Sequence, residues 1–276
     1  MSPDRQLGVV NVYNNANKVF NLRKGLPIGA ITWGAGSIGQ ASTSTIIKDL
    51  RHALSGKDER RKDWALKTEP TPDYTLENVA NRLKEFVFDD LYSKEYPEGS
   101  PMRPDLGFIV AGYSTKDASM AEEFQVEVRN GQCSGPTPVR AKHEIGLTAA
   151  GDTEALNRLL SGTASALPQV LQSLFKVPPN QIGQVLAQIQ AQLNVPLVIP
   201  AMPLQDAIDL GEFLVDLTIK FSRFKPGAPT VGGPIEIAAI SKHEGFRWIK
   251  RKYYFDSRLN PEEEFTRTYR PENKGF

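Results

Sequence analysis

Strand-like and helix-like hydrophobic periodicity come in blocks along this chain, and that grouping limits its architecture more than any single motif. Extended, apolar-rich runs at Val9–Tyr13, Val19–Leu22 and Ile28–Trp33 read as strands, the last expected to be buried on both sides, and precede two helical patterns. Phe108 and Val110, then Phe124, Val126 and Val128, restore a period of two, and Asn130-Gly131 marks a two-residue hairpin because both positions tolerate positive φ. Further helices follow, and Ile235–Ser241 and Phe246–Lys250 close the chain as a strand pair around a His-Glu-Gly turn. Parallel βαβ folds alternate strand and helix, since each parallel neighbour needs a crossover. Grouped strands and grouped helices predict an α+β fold with antiparallel sheets instead.

The helices carry their own signals. Ser37 and Gln40 have the spacing of a capping box, with Ile38, Ile46, Ile47, Leu50 and Leu54 following at helical intervals. Thr75–Tyr92 is the clearest helix, with Leu76, Val79, Leu83, Phe86, Val87 and Leu91 on one stripe. The charged stretch Lys57–Lys67 reads as a loop. Asp152 caps a helix through residues 152–160, and Leu204–Phe224 forms a long apolar-faced one. Residues 161–203, rich in Gln and Pro, hold a short amphipathic helix through Ile182, Val185, Leu186, Ile189 and Leu193. About 40 residues rarely bury a core alone, so this segment is an expected insertion in a single domain spanning 1–276.

Charge and cysteine content exclude several classes. With 33 basic and 32 acidic residues, the chain lacks the excess of Lys and Arg by which nucleic-acid binders displace counterions. Cys133 is the only cysteine, which leaves no intramolecular disulfide or thiolate metal site and suits a reducing cytoplasm. The N-terminal residues show no signal-peptide pattern, and no apolar run approaches the roughly 18 residues of a membrane span. The expectation is a cytoplasmic protein with no membrane or nucleic-acid partner.

Gly34, Gly36 and Gly39 form a literal G-x-G-x-x-G between a strand and a helix, a spacing that lets a backbone approach a pyrophosphate. The dinucleotide reading also needs a second strand ending in Asp or Glu after the helix, and the chain runs into SGKDERRKDW instead. A glycine turn packing strand against helix is the better account, and no cofactor is expected. His52, His143 and His243 share no metal-ligand spacing, so no metal is expected either. Asp209, Glu212 and Asp216 share a helix face, most simply a solvated one.

Three stretches, NANKVFNLRKGLPIGAITWGAGSIGQASTSTIIKDLR, LGFIVAGYS with EEFQVEVRNGQ, and PTVGGPIEIAAISKHEGFRWIKRK, together resemble the proteasome β-subunit group of N-terminal-nucleophile (Ntn) hydrolases. The resemblance spans most of the chain outside 161–203. It implies a four-layer αββα sandwich, two antiparallel sheets flanked by helices. It also implies amide hydrolysis by an N-terminal Thr, Ser or Cys, whose own amino group acts as base and whose ionisation a lysine tunes. On that pattern Lys18 matches the catalytic lysine, and Gly34, with Gly36, matches the turn whose N–H groups hold the oxyanion. A peptide or protein substrate and a ring-type homo-oligomer are implied partners.

The family places its nucleophile roughly thirty residues before the lysine, whereas 17 residues precede Lys18. Ser2 is the earliest hydroxyl, and Pro3 and the short approach set it last among candidates. The Asp-x-x-Ser-Gly pattern near the family's last strands is replaced by Ala228–Gly232. Two expectations precede Ser2: an intact form carrying an upstream nucleophile strand, or a non-catalytic ring subunit of the same fold. The chain as written is expected to be inactive.

Overall fold

In the computed structural model of the chain, the described residues are 15–68, 72–116 and 120–253, with the backbone of 3–4 and 8–9. The short strands β1 (Pro3–Asp4) and β2 (Gly8–Val9) pair with each other; Val10–Tyr13 and the tail after Tyr253 lie outside the described residues. The main sheet has five strands. It begins with β3 (Val19–Asn21) and β4 (Ile28–Gly34). After β4 the chain makes a small hairpin, β5 (Ser37–Ile38) with β6 (Ala41–Ser42), before helix α1 (Thr43–Leu54). The capping box expected at Ser37 therefore does not open the helix. Gly39 turns at φ +54°, the chain folds back once, and Ser42 caps instead, its Oγ accepting the Thr45 N–H at 3.1 Å.

The stretch expected as a loop from Lys57 contains a 3-10 turn, Glu59–Trp64, started by the Asp58 carboxylate, which accepts the Arg60 N–H. Arg61 anchors it by pairing with Asp58 and Asp90 and lying over the Trp64 and Phe86 rings. Helix α2 (Leu76–Lys84) starts at Thr75, whose hydroxyl accepts the Asn78 N–H, and continues as a π-helical segment Glu85–Tyr92 before α3 (Ser93–Glu95). The wider π turn rotates the apolar stripe. Phe88 and Tyr92 become fully buried, and Leu91, expected in the stripe, is only half-buried. Phe88 meets Phe108 edge-on at 6.1 Å, and full burial of such a ring contributes roughly 1.5–3 kcal/mol.

Strands β7 (Leu106–Gly112), β8 (Glu122–Arg129) and β9 (Gln132–Pro138) complete an antiparallel sheet of order β3-β4-β7-β8-β9, with Asn130 and Gly131 turning at positive φ as the dipeptide predicts. Next come α4 (Glu154–Leu160), α5 (Leu167–Ser173), α6 (Pro179–Leu193) and α7 (Leu204–Phe224). Residues 161–203 thus hold two helices where the sequence pattern showed one. Strands β10 (Ile237–Ser241) and β11 (Gly245–Lys250) pair as a separate antiparallel hairpin. The architecture is α+β with antiparallel sheets.

The core lies between the sheet and its first helices. Ile28, Ala30, Phe108, Val110 and Val126 from the sheet are buried with Ile46, Ile47, Leu50, Leu76, Val79 and Leu83 of α1 and α2. The other face of β4 meets the C-terminal hairpin: a Cβ on Gly29 would come within 2.8 Å of the Phe246 ring and 3.0 Å of Ile240. Cover on that face is incomplete. Ile31 is 42% exposed, so β4 is not buried on both sides along its length as its apolar run suggested. Helix α7 contacts β10 and α4 beyond the hairpin. Among the described residues, no helix is long and apolar enough to cross a membrane.

Candidate functional site

Lys18 stands just before β3, opposite Thr32 of β4, whose N–H donates to the Lys18 carbonyl at 3.0 Å. Successive strand residues direct their N–H groups to opposite edges. The Ala35 N–H points the other way, to the Asp105 carbonyl at 2.9 Å. Gly34 is in step with Thr32, so its N–H is directed to the edge of β4 on which Lys18 lies. The fold thus brings Lys18 and the Gly34 amide, 16 positions apart in the chain, to one strand edge.

Gly34 is required by its geometry. Its φ is +78°, and a Cβ there would sit 2.3 Å from the Asp105 carbonyl oxygen. Gly36 has no such requirement, since a Cβ there would meet nothing within 4 Å, and its carbonyl is taken by the Thr43 N–H at 2.9 Å. The Gly39 N–H donates to the Tyr96 hydroxyl. Because α1 begins four residues beyond Gly39, these glycines do not deliver a helix N-terminus to a phosphate.

Two C-terminal residues hold the lysine strand. The Glu236 carboxylate accepts the Lys18 N–H at 3.0 Å, and Lys252 Nζ donates to the Ala16 carbonyl at 2.8 Å. Asn17 Nδ2 reaches Ser44 Oγ on α1. Burial pushes the Lys18 ammonium below the ordinary lysine range, and the nearby positive charge of Lys252 pushes it further. Lys252 is itself lowered by burial, with Glu236 pulling the other way. Sequence reasoning missed Glu236 and Lys252. They lie more than two hundred residues from Lys18, and no local spacing marks them.

The Ala228–Gly232 stretch, which carries no carboxylate of its own, receives one from elsewhere. Thr230 Oγ1 donates to Asp152 at 2.8 Å, and buried Ser222 Oγ accepts the Thr230 N–H at 2.9 Å and the Val231 N–H at 3.3 Å. The acidic face of α7 is engaged in ordinary pairs: Asp209 with Gln205, Glu212 with Lys250, Asp216 with Lys220. A cleft of about 480 Å³ between α7 and β11 is lined by Glu212, Trp248, Lys250, Arg251 and Tyr253, without Lys18 or Gly34. Cys133 is a free, exposed thiol. Among the described residues, no three His, Cys, Asp or Glu side chains converge into a metal-binding group. Ser2 lies outside the described residues.

Compared with family models, curated proteins and solved structures, the chain matches none.

Proposed function

We propose that this chain is a proteasome-type Ntn-hydrolase homologue that in its intact form hydrolyses peptide or other amide bonds, with Lys18 and the Gly34 N–H as its working groups. The observation that carries this reading is their placement on one edge of β4, with the lysine's proton affinity lowered. The order of contacts supports the four-layer αββα arrangement: α1 and α2 against the five-stranded sheet, the β10–β11 hairpin on its other face, and α7 behind the hairpin.

The chemistry is acyl transfer. The α-amino group of an N-terminal Thr, Ser or Cys takes the proton from its own side chain, whose oxygen or sulfur attacks the amide carbon. Negative charge moves to the carbonyl oxygen, where the Gly34 N–H donates a hydrogen bond. Collapse expels the amine, which takes up the proton, and water then hydrolyses the acyl-enzyme. The positive charge of a protonated lysine disfavours a second ammonium beside it, and so keeps a nearby α-amino group neutral and available as base. Peptide or protein is the substrate class, and a ring-type assembly in the cytoplasm is the setting.

The second reading, a non-catalytic subunit of the same fold, draws on the outer surface of α7, where Phe213, Val215 and Phe224 are exposed. One experiment separates the two. The protein purified from its natural source is taken for N-terminal sequencing, intact mass and assay on short fluorogenic peptides. A mature chain starting with Thr, Ser or Cys, with turnover abolished by Lys18→Ala, is the expected result. A chain starting elsewhere that shows no turnover overturns the hydrolase reading.

A further inference from the structure

Four consecutive residues, Trp248 to Arg251, line the cleft of about 480 Å³ between α7 and β11. A regular strand sends successive side chains to opposite faces, so such a run cannot serve one cleft. The pairing of β11 with β10 explains the exception. Ile237 sits opposite Lys250 and Ala238 opposite Trp248, so Ile249 is an extra residue, a β-bulge. Phe246 faces Gly29 of β4, and Trp248 packs edge-on against Phe246 at 5.2 Å. Without the bulge Lys250 would follow them onto that face; with it, Lys250 turns to α7 and pairs with Glu212. Bulges recur beside functional sites because they re-aim side chains in this way. The volume falls within the roughly 300–1,000 Å³ of small-ligand sites.

The lining specifies the chemistry of a ligand. Lys250 and Glu212 neutralise each other. Arg251 pairs with no carboxylate among the described residues, and its guanidinium lies 5.1 Å from the centre of the Trp248 ring. Its charge is felt at Arg51 of α1, whose proton affinity is lowered first by burial and then by Arg251. The cleft therefore holds one cation in excess, beside the apolar surfaces of Ile235, Trp248 and Tyr253. An arginine fork takes a carboxylate or a phosphate through two parallel hydrogen bonds. A phosphate dianion would leave a negative charge uncompensated in a cleft that Glu212 also lines, whereas a single carboxylate balances Arg251. An apolar group attached to that carboxylate covers Trp248 and Ile235.

We propose that this cleft binds an apolar carboxylate, its acid group on Arg251 and an aromatic or branched side chain against Trp248. The C-terminal residue of a peptide and a free aromatic acid share that chemistry. The cleft excludes Lys18 and Gly34, and its test reads binding rather than turnover, so it stands or falls independently of amide hydrolysis. The full chain is titrated in a calorimeter with N-acetylphenylalanine, with a short peptide ending in phenylalanine, and with the C-terminal amide of each. Both acids are expected to bind, and the amides at least about tenfold more weakly. A peptide that binds more tightly than N-acetylphenylalanine identifies a chain end as the source, and equal affinities identify a free acid. Arg251→Gln is expected to bring the acids down to the level of the amides, and Tyr253→Ala to weaken all four. Both side chains are exposed, so the fold does not depend on them. NMR locates the ligand without any variant. The Trp248 indole N–H signal should shift, while those of Trp33, which donates to Glu127, and buried Trp64 stay in place. Amides that bind as well as the acids overturn the assignment, as does unchanged affinity in Arg251→Gln. Inorganic phosphate that binds as tightly as the acids, or no binding of either acid at about 5 mM, overturns it too.

Discussion

Lys18 is the residue on which the proposed chemistry turns, and its charge state has a consequence that needs no substrate. Its folded-state proton affinity is depressed by burial and by Lys252, so between that depressed value and the ordinary lysine value the unfolded chain binds the proton and the folded chain does not. Stability then rises with pH through that window, and below it the native state carries a constant penalty for holding the ammonium. Lys18→Met is expected to raise the melting temperature at pH 7, by about 2–4 °C for each kcal/mol relieved. Scanning calorimetry from pH 7 to 10 should show the gain shrinking as pH rises; a pH-independent difference would show that ionisation of Lys18 is not its source. Lys252→Met removes a neighbouring positive charge and should move the Lys18 titration midpoint, read by NMR of the ε-methylene, upward. An unmoved midpoint would leave burial as the sole cause.

At the scale of elements, the turn after β4 discriminates between two glycines that the sequence motif treats alike. Gly34→Ala forces a Cβ against the Asp105 carbonyl at positive φ, a backbone strain of about 1–3 kcal/mol before the clash is added. Gly36→Ala places its Cβ in open space and is expected to leave the melting temperature within about 2 °C of wild type. Equal losses in the two variants, measured by thermal melts, would contradict the turn geometry described. Glu154 makes a comparable point at the entrance to the insertion, where it ties α4 to the next turn. Hydrogen bonds from Ser165, together with Arg158, bring its carboxyl down to about 2. That stability is present above the ordinary carboxylate value and is lost as pH falls toward 2. Glu154→Gln should lower the melting temperature at pH 6 and make no difference near pH 2. Local order was legible in the sequence where one periodicity or one turn dipeptide dominates: α7 from its stripe, the β8–β9 turn from Asn130-Gly131. Reading failed where tertiary packing decides, as at the 37–42 hairpin, whose glycine turn delays the helix, and at Phe88 and Tyr92, which a π-helical segment rotates into the core. Gly34 stood out in its glycine motif, Lys18 only through a family resemblance, and Glu236 and Lys252 not at all, because contacts across the whole chain leave no local spacing.

For the molecule as a whole, residues 162–194 are predicted to be separable from the rest of the fold. The Val195 N–H donates to the Leu160 carbonyl at 2.8 Å, so the two ends of the segment already meet. Contacts between α4 and α7, and between α7 and β10, lie outside it, as do the sheet and the principal hydrophobic cluster around α1 and α2. Replacing residues 162–194 by two glycines therefore exchanges a long closure for a short one, and loop-closure entropy changes by only about 1–3 kcal/mol in favour of the folded state. Leu171 is the buried side chain lost from α5 and α6, worth roughly 1.5–3 kcal/mol. These two terms nearly offset, but excision also removes buried Thr163 and Ser165, which hydrogen-bonds the Glu154 carboxylate, so the excised protein is expected to melt cooperatively but below the full chain. Loss of the cooperative transition would mean that α5 and α6 belong to the core after all.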